Sequence, residues 1–376
     1  MTGPDSAGKE KKQRNGAPDY GLCLVVLILA GFGLVVLYST SAWNGQVKFA
    51  DPAYYLKKQL LATSLGLAAM YAVSCIDFRR WKNLAVPGYL ISLVLQAAVL
   101  FFGDEYNGSK RWLSIGPLSF QPSEFAKVAV IVLLARVISG RGKKIVTLWQ
   151  MLGVMLPTLP LVGLVGTNNL STAIIIMGIA VILIFVASPG YLRFVFIGAG
   201  GAGFLAVFLS LESYRLERLA IWRHPEAYEK GYQTMQGLYA IGSGGLFGVG
   251  FGGSLQKLGF VPEAQNDMIF SIVCEEFGLV GAVLLMLLFV LLVWRLYSIA
   301  LHVQDLFGCL VVTGIMGHIL IQVILNIAVV TNTIPNTGIT LPFVSYGGTS
   351  VLFLLSEMGL ALNISRSHPH GERGIC

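Results

Sequence analysis

The stretch from Pro262 to Glu276 reads Pro-Glu-Ala-Gln-Asn-Asp-Met-Ile-Phe-Ser-Ile-Val-Cys-Glu-Glu, and within it a polar loop becomes an apolar helix. Glu263 and Asp267 are four residues apart, so a helix that began at Pro262 would carry both on one face, with Glu275 and Glu276 deeper in the same helix. Ionisable groups that enter a membrane are costly and mark functional sites. The local sequence leaves two interpretations open: Asp267 is a catalytic carboxylate, or Asn266 or Asp267 caps a buried helix.

The chain around this stretch is far more apolar than a soluble domain. Hydrophobic residues make up 55% of it and charged residues 12%, with a mean hydropathy of +0.73, whereas charged residues make up about 25% of a soluble domain. We therefore predict an all-α polytopic integral membrane protein with about ten transmembrane helices, since an apolar run of about 20 residues spans a membrane. The predicted segments are 20–41, 56–75, 84–102, 122–139, 147–165, 170–187, 191–211, 269–294, 305–330 and 347–363. Pro157 and Pro160 interrupt the fifth segment and predict a kink there.

The distribution of basic residues predicts the orientation of these helices. The formal net charge is +7, and Lys and Arg lie in the N-terminal tail, around Arg79 to Lys82 and around Arg141 to Lys144. The positive-inside rule then places both termini in the cytoplasm. Because the basic residues form no stripe with interleaved aromatics, we predict no nucleic-acid partner.

The same segments divide the chain into three parts. We predict a disordered cytoplasmic tail at 1–19, a ten-helix membrane domain at 20–363 and a cytoplasmic tail at 364–376. One large extracytoplasmic loop, at about 212–268, connects helices 7 and 8. It contains a glycine-rich run, Gly242 to Gly253, which would let the backbone approach a ligand closely.

Two further regions carry candidate binding residues. Lys110, Arg111 and Trp112 lie on the outer face, where an Arg next to a Trp suits a phosphate and a sugar face, although a membrane-interface belt with snorkelling cations would read the same. Glu124 and Lys127 are three residues apart in the fourth span, so they can form an ion pair. Whether this pair binds substrate or has only a structural role stays open.

Polar residues also recur in the last part of the chain. His318, Gln322 and Asn326 form one polar stripe on the ninth span, which interhelical hydrogen bonds would explain. The last outer loop, 332–350, is dense in Pro and Gly and predicts a fixed, re-entrant-like turn.

Several ordered motifs resemble one family of membrane enzymes. They are Lys110-Arg-Trp-Leu, Gln121-Pro-Ser-Glu-Phe-Ala-Lys, Ala240-Ile-Gly-Ser-Gly-Gly-Leu-Phe-Gly, Pro262-Glu-Ala-Gln-Asn-Asp, Glu275-Glu-Phe-Gly and Pro342-Phe-Val-Ser-Tyr-Gly-Gly. Each motif alone is weak, but in this order they cover nearly all the predicted spans. On these residues the chain resembles the SEDS proteins (shape, elongation, division and sporulation), which are membrane glycosyltransferases that polymerise lipid II into peptidoglycan.

Within that family the sequence is more similar to the division and sporulation members, FtsW and SpoVE, than to RodA. The similarity lies in Ser254-Leu-Gln-Lys-Leu-Gly-Phe-Val-Pro-Glu and in Thr337-Gly338. Two departures stand out. The chain has Gln265-Asn266-Asp267-Met268 where the family commonly has His-Thr-Asp-Phe, and Asn168-Asn169-Leu170-Ser171-Thr172 where it commonly has Pro-Asp-Leu-Gly-Thr. The second leaves no acidic residue at the start of the sixth span, whereas Asp267 is retained.

The resemblance implies a mechanism and a set of site residues. The 4-hydroxyl of incoming lipid II would attack the anomeric carbon of the growing glycan, with Asp267 as the single general base. Arg111 and Lys127 would stabilise the leaving pyrophosphate, Trp112 would pack on a sugar or lipid, and Glu263 would orient a substrate or an ion. Glu124 and Ser345 complete the predicted substrate-binding residues. No residue is assigned to a resident metal, and a divalent cation, Mg²⁺ or Mn²⁺, stays open as a cofactor.

The resemblance also implies partners and a location. The expected partners are lipid II, a class B penicillin-binding protein transpeptidase, other divisome proteins and the membrane itself. The expected location is the bacterial cytoplasmic membrane, with glycan synthesis at its outer face for septal or spore cell wall. Two alternatives from other classes stay open at this point. A lipid II flippase would use the same cavity without a base, and a non-catalytic scaffold for a transpeptidase would need neither the cavity nor Asp267.

Overall fold

The computed structural model describes residues 16–106, 109–115, 118–141, 145, 147–190, 192–195, 198, 203 and 219–367. Long helices dominate these residues, and three short strands lie between the third and fourth helices. The helices are α1 Tyr20–Phe49, α2 Tyr54–Cys75, α3 Phe78–Phe102, α4 Pro122–Gly140, α5 Leu148–Met155, α6 Leu159–Asn168, α7 Leu170–Ala187, α8 Tyr232–Ser243, α9 Ile269–His302, α10 Leu306–Val330 and α11 Gly348–Ser365. The strands are β1 Asp104–Tyr106, β2 Ser109–Ile115 and β3 Leu118–Phe120.

The helices confirm an all-α polytopic membrane protein. Among the described residues, seven helical stretches are long and apolar enough to cross a membrane. The α2 and α4 helices are also long, but each carries charged residues. Nine of the ten predicted segments fall in described helices, and the seventh, 191–211, lies almost entirely outside the described residues. The tails at 1–15 and 368–376, and the start of the large loop at 212–218, lie outside them as well.

Two prolines break the fifth predicted segment into separate helices. The α5 helix ends at Met155, a short 3-10 turn covers Leu156–Thr158, and α6 begins at Leu159. The predicted interruption at Pro157 and Pro160 is therefore confirmed. A third proline, Pro87, lies inside α3 and cannot donate to the carbonyl of Asn83. The Arg136 guanidinium of α4 donates to the carbonyls of Lys82, at 2.7 Å, and Asn83, at 3.5 Å. A side chain of a neighbouring helix therefore reaches the carbonyl that the proline leaves without a helical hydrogen bond, and the carbonyl before it.

The outer loop between α3 and α4 folds into a small antiparallel sheet in the order β1-β2-β3. Glu105 pairs with Lys110 across the first pair of strands, and Leu113 pairs with Phe120 across the second. In the sequence, Asn107-Gly108 and Gly116-Pro117 separate the strands, and both are turn-forming pairs. The sheet adds three strands that the prediction of a helical membrane protein did not contain.

The large loop before α9 is ordered where it is described. It contains α8, which packs on α9, and then a run of turns from Gly244 to Met268. The α9 helix is broken at Gly278, whose φ is 66° and ψ is −166°. The glycine-rich turns lie against this break, and Gly244 and Gly248 let the loop approach the α9 backbone closely. An approach of the other glycines to a ligand stays a prediction.

Both chain ends meet at one end of the helical bundle. The Gly16 amide donates to the Arg366 carbonyl at 2.9 Å, and the Asp19 amide donates to the Ser365 hydroxyl at 3.0 Å. The Asn363 side chain joins the same end to the α2–α3 turn, accepting from the Phe78 amide at 2.9 Å. The start of α1 and the end of α11 therefore lie at the same end of the helical bundle.

Candidate active site

Asp267 lies in the last turn before α9 and is buried, with 8% of its surface exposed. The helix begins at Ile269, not at Pro262, and Glu263 has a positive φ of 53° in the turns that precede it. The condition for Glu263 and Asp267 to share a helical face, a helix that begins at Pro262, is therefore not met. The cap position is Met268, and no side chain bonds to the first turn of α9. The capping interpretation of Asn266 or Asp267 is likewise wrong.

Side-chain amides from two other elements hold Asp267 in place. The Gln233 amide of α8 donates to Asp267 Oδ1 and to the Pro262 carbonyl, each at 3.3 Å. Gln233 Oε1 in turn accepts from Asn336 in the last outer loop at 3.1 Å. From α10, Asn326 donates to the backbone carbonyls of Asp267 at 2.9 Å and Ile339 at 2.7 Å. The carboxylate is thus fixed between α8, α10 and the last loop.

The surroundings of Asp267 oppose its ionisation. Burial raises the pKa of Asp267 to about 7, and the negative charge of Glu263 adds to this effect. The Gln233 hydrogen bond and the positive charge of Arg111 act in the opposite direction. A carboxyl with a pKa near neutral pH can accept and release a proton under physiological conditions, which is what general-base catalysis needs.

Arg111 faces Asp267 across a space next to Gly338. A Cβ atom added at Gly338 would lie 3.8 Å from Asp267 Oδ2 and 3.9 Å from Arg111 Nη1. Gly338 has a φ of +67°, which a residue with a side chain rarely adopts. The Arg111 Nε donates to the Asn168 carbonyl at 3.1 Å, which fixes the guanidinium from its other side. The Asp267 carboxyl and the Arg111 guanidinium therefore both border the position that a side chain at Gly338 would occupy.

Glu124 and Lys127 form the predicted pair within α4. Their charged atoms are 3.0 Å apart, and both side chains are buried. Lys127 also donates to Gln322 Oε1 at 3.0 Å, and Gln322 Nε2 donates to the Thr340 carbonyl at 3.1 Å. The pair therefore reaches the last outer loop through Gln322, and a direct role in binding substrate stays a prediction.

Trp112 and Ser345 occupy less direct positions. Trp112 is half-buried in β2 and pairs in register with Asp104. Ser345 is buried, and its hydroxyl accepts a hydrogen bond from the Leu341 amide at 2.8 Å. Asp267, Glu263 and Arg111 are thus brought together, whereas the substrate-binding roles of Trp112 and Ser345 stay predictions.

The polar stripe on α10 is confirmed as a set of hydrogen-bonding residues between elements. His318 contacts Glu357 of α11 at 2.9 Å, and Gln322 and Asn326 bind the last outer loop as described above. The role of Gln233 could not be found in the sequence, since no motif or periodicity singles it out. In the sequence, Gly338 stands out only as part of the Thr337-Gly338 pair.

Glu275 and Glu276, the deeper carboxylates of the opening stretch, have structural partners. Glu276 is ion-paired with Lys257 at 2.6 Å and accepts from Ser39 of α1, while Glu275 accepts from Ser254 and from the Leu255 amide. These contacts hold the loop at 254–257 against α1 and α9. Neither carboxylate contributes to the space at Asp267.

A divalent cation as cofactor stays an open prediction. Among the residues that the structure describes, no group of three or more His, Cys, Asp or Glu side chains could hold a metal ion. Mg²⁺ is commonly held by one or two carboxylates together with substrate phosphates. The predicted role of Glu263 in orienting a substrate or an ion therefore stays a prediction.

Comparison with known proteins gives a consistent result along the whole chain. The model of a family described as cell cycle proteins, FtsW, RodA and SpoVE, matches residues 20–370. Stage V sporulation protein E of Bacillus subtilis is 40% identical over 362 residues, covering 93% of this chain and 97% of that protein. A probable peptidoglycan glycosyltransferase FtsW of Trichlorobacter lovleyi is 35% identical, covering 92% of this chain and 93% of that protein.

Solved structures match the fold over the same extent. One is a chain from a peptidoglycan synthase complex that coordinates polymerization and crosslinking. It is similar with a TM-score of 0.79 and 32% identity, covering 93% of this chain and 98% of that chain. The rod shape determining protein RodA of Thermus thermophilus is similar with a TM-score of 0.70 and 32% identity, covering 94% and 98%.

Proposed function

The chain belongs to the FtsW, RodA and SpoVE family and is a peptidoglycan glycosyltransferase, and we propose that it polymerises lipid II with Asp267 as the general base. The observation that carries this proposal is a buried carboxyl with a pKa raised to about 7 that lies, together with Arg111, next to the position where Gly338 has no side chain. A transporter or a scaffold would have no need of a base at that place.

The reaction needs one proton acceptor. Asp267 takes the proton from the 4-hydroxyl of the incoming lipid II as the oxygen bonds to the anomeric carbon of the growing glycan. The bond from that carbon to the lipid pyrophosphate breaks, and the pyrophosphate leaves as a stable anion that needs no protonation. A glycosidase uses two carboxyl groups, and here the one that would protonate the leaving group is dispensable.

The charges around the space have distinct roles in this proposal. Arg111 stabilises the negative charge that develops on the leaving pyrophosphate. Glu263 raises the pKa of Asp267 and orients the substrate, or a Mg²⁺ or Mn²⁺ ion that arrives with the substrate phosphates. Such an ion would neutralise phosphate charge. Gln233 and Asn326 position the base through the contacts described above.

The proposal extends to the setting of the reaction. Basic residues near Arg79 and the shared location of both chain ends support a cytoplasmic side for the termini and an outer position for Asp267. We propose a class B penicillin-binding protein transpeptidase as partner, together with other divisome proteins, because a solved relative belongs to a complex that couples polymerization to crosslinking. Septal or spore cell wall is the proposed product.

The test is lipid II polymerisation by purified Asp267→Asn, followed on a gel of the glycan products. Asparagine keeps the size of the side chain but cannot accept the proton. The expected rate is about 10²–10⁴-fold below that of the wild type, the usual effect of losing a general base. Asp51→Asn is the matched control, because Asp51 lies in an outer loop and is paired with exposed Lys57 at 2.7 Å, where surface ion pairs contribute little.

Melting temperature and elution as a single species should show that both variants are folded. Near-normal glycan synthesis by Asp267→Asn would contradict the assignment of Asp267 as the general base. Glu263 or Glu124 would then be tested as the base.

A further inference from the structure

The turns from Gly244 to Phe260 have an inverted distribution of polarity. Their only polar side chains are Ser254, Gln256 and Lys257, and none of the three is exposed. All of their large apolar side chains are exposed, and this apolar patch consists of Leu246, Phe247, Val249, Phe251, Leu255, Leu258 and Phe260. A loop surrounded by water has the opposite pattern, because exposed apolar surface is costly in water. Large exposed apolar patches mark surfaces that contact a membrane or another protein.

The polar side chains of the turns have their partners inside the protein. Lys257 Nζ donates to Glu276 Oε1 at 2.6 Å and to the Ser39 hydroxyl at 2.8 Å. The Ser254 hydroxyl donates to the Glu275 carboxylate. The one charge of the turns is therefore neutralised in the interior and does not require water around the turns.

The end of the bundle that carries the chain termini gives a reference for the height of the turns. Arg295 of α9 lies against the start of α1, with its guanidinium 3.8 Å from the Asp19 carboxylate. The exposed aromatic residues Trp294 and Tyr297 flank Arg295. Exposed aromatic and cationic side chains are typical of the level where a helix crosses the boundary of the membrane.

The opposite boundary follows from the thickness of the bilayer. A hydrocarbon core of about 30 Å corresponds to about 20 helical residues, at about 1.5 Å each. Counted along α9 from Arg295, the opposite boundary of the hydrocarbon lies near Glu275. The turns bind the backbone of α9 from Glu275 to Val280. They therefore lie level with the last part of the hydrocarbon core and not above it.

The backbone of the turns is suited to such a position. The Val249 and Gly250 amides donate to carbonyls of α9 at 2.9 Å and 3.0 Å, and the Gly245 and Leu246 carbonyls accept from amides of α9 at 2.9 Å and 3.1 Å. The Leu255 amide donates to a carboxylate of α9 at 3.1 Å. Irregular backbone at membrane depth is tolerated where the protein supplies its hydrogen bonds.

The apolar patch is continuous with the membrane-facing surfaces of two helices. On α9, the exposed side chains of Leu279, Val283 and Leu287 follow the break at Gly278. On the other side, a groove of about 350 Å³ separates the turns from α1, and Tyr38 and Trp43 of α1 line it. Both of these aromatic side chains are exposed. The patch thus extends a surface that spanning helices already present to lipid.

We propose that the turns from Gly244 to Phe260 re-enter the bilayer and that the apolar patch contacts the acyl chains of phospholipids. In the proposed topology this is the outer leaflet. Part of the loop that was predicted to be extracytoplasmic, at 212–268, therefore lies in the hydrocarbon. The inference needs only that the helices span a membrane, and it does not depend on Asp267 as the general base.

The test measures the surroundings of single spin labels on the purified full-length protein in vesicles of phosphatidylethanolamine and phosphatidylglycerol. Phe247→Cys and Leu255→Cys carry the label in the patch, on a background in which the five natural cysteines are replaced by serine or alanine. Power saturation then compares collisions with oxygen, which concentrates in hydrocarbon, and with a water-soluble nickel complex. The ratio of oxygen to nickel accessibility should be high at both positions.

Two positions of the same chain calibrate the measurement. Leu287→Cys lies in the membrane-facing part of α9, where the side chain is 55% exposed, and should give the highest ratio. Tyr228→Cys lies in the loop before α8, where the side chain is 41% exposed, and should give the lowest. The ratios at Phe247→Cys and Leu255→Cys should lie closer to that of Leu287→Cys. Where a label at one of them prevents folding, Leu258→Cys replaces it.

Each other outcome contradicts the proposal. Ratios like that of Tyr228→Cys would show that the patch faces water. Exclusion of both reagents, together with dipolar broadening between labels, would show that a second copy of the chain covers the patch. Elution as a single species and the melting temperature of each labelled protein show that the compared variants are folded.

Discussion

Among single residues, Asp267 is the one whose chemistry depends most on its surroundings. In water its carboxyl would be ionised throughout the physiological range. In the protein, burial and the charge of Glu263 raise its pKa to about 7, while Gln233 and Arg111 partly offset the shift. The protonation state of the proposed base therefore changes near neutral pH.

This shift predicts how polymerisation depends on pH. A base acts when deprotonated, so the rate should rise with pH and reach half of its maximum near pH 7. Glu263→Gln removes a negative charge that raises the pKa of Asp267, so its midpoint should move to lower pH. Initial rates of lipid II polymerisation across this range would measure both midpoints.

Glu229→Gln is the control for this experiment, because it makes the same change at an exposed position of the outer loop. Its midpoint should match the wild type. A Glu263→Gln profile that coincides with the wild-type profile would show that Glu263 does not influence the base.

At the scale of elements, the glycine-rich turns supply hydrogen-bond partners for the backbone groups of α9 on either side of its break at Gly278. The Glu275 and Glu276 carbonyls accept from the amides of Val249 and Gly250, at 2.9 Å and 3.0 Å. On the other side of the break, the Leu279 and Val280 amides donate to the carbonyls of Gly245 and Leu246, at 2.9 Å and 3.1 Å. The loop thus replaces the helical hydrogen bonds that the break removes.

Gly278→Ala should therefore destabilise the protein strongly. Its Cβ would lie 2.3 Å from the Gly248 amide nitrogen and 2.5 Å from the Leu246 carbonyl oxygen, both backbone atoms that cannot move aside. The positive φ adds strain of about 1–3 kcal/mol. Thermal unfolding in detergent would measure the loss. Gly242→Ala is the control, because Gly242 lies in α8 with nothing within 4 Å, and it should melt at the wild-type temperature or slightly above.

A second element-scale feature joins α10 to α11. Gln322 Oε1 accepts a hydrogen bond from Lys127. Because an amide oxygen can only accept, His318 Nε2, which lies 2.9 Å from the same oxygen, is the donor in that contact. His318 Nδ1 lies 2.9 Å from Glu357 Oε2, and both side chains are buried. Either the ring is protonated and donates to a carboxylate, or a protonated Glu357 donates to a neutral ring. In both cases the pair holds the same number of protons.

A double-mutant cycle should detect this coupling. His318→Leu and Glu357→Leu should each destabilise the protein by about 3–5 kcal/mol, because each leaves a buried partner unpaired. The double variant should lose less than the sum of the two. Denaturant unfolding of the four proteins gives the coupling, and the exposed Lys57–Asp51 pair, treated in the same way, should give at most about 1 kcal/mol. Additive losses at His318 and Glu357 would show that the two residues act independently.

At the scale of the whole molecule, the chain ends and the proposed active site lie at opposite ends of α1. Asp19 at its start contacts Ser365, and Asn44 near its end donates to Gln265 at 3.0 Å, two residues before Asp267. Basic residues flank the end that carries the termini. The charge distribution therefore supports the proposed orientation, in which Asp267 lies outside.

Cysteine labelling of intact cells tests this orientation. A reagent that cannot cross the membrane should modify Tyr228→Cys, in the loop before α8, and should leave Asn83→Cys, near the α2–α3 turn, unmodified. Both positions are exposed. The natural Cys75 is also exposed and free, so the experiment uses a Cys75→Ser background. The reverse pattern of labelling would contradict the proposed topology.

The sequence by itself determined the class of fold, and it singled out Asp267, Glu263 and Arg111 as candidate site residues. Apolar runs of spanning length predicted the helices, because the length of a span is set by the thickness of the bilayer. The prolines of the fifth segment predicted its break, since proline cannot donate within a helix. The spacing of Glu124 and Lys127 predicted their ion pair, since residues three apart on a helix are neighbours.

Only the tertiary structure decided how the site is assembled. The opening stretch suggested a helix from Pro262, but the amides of Gln233 and Asn326 hold turns there instead, and these residues are distant in the chain. The same holds for Arg111 and Gly338, which no local pattern connects. Local periodicity reports which residues share a face of one element, whereas the pKa of Asp267 depends on burial and charges from several elements at once.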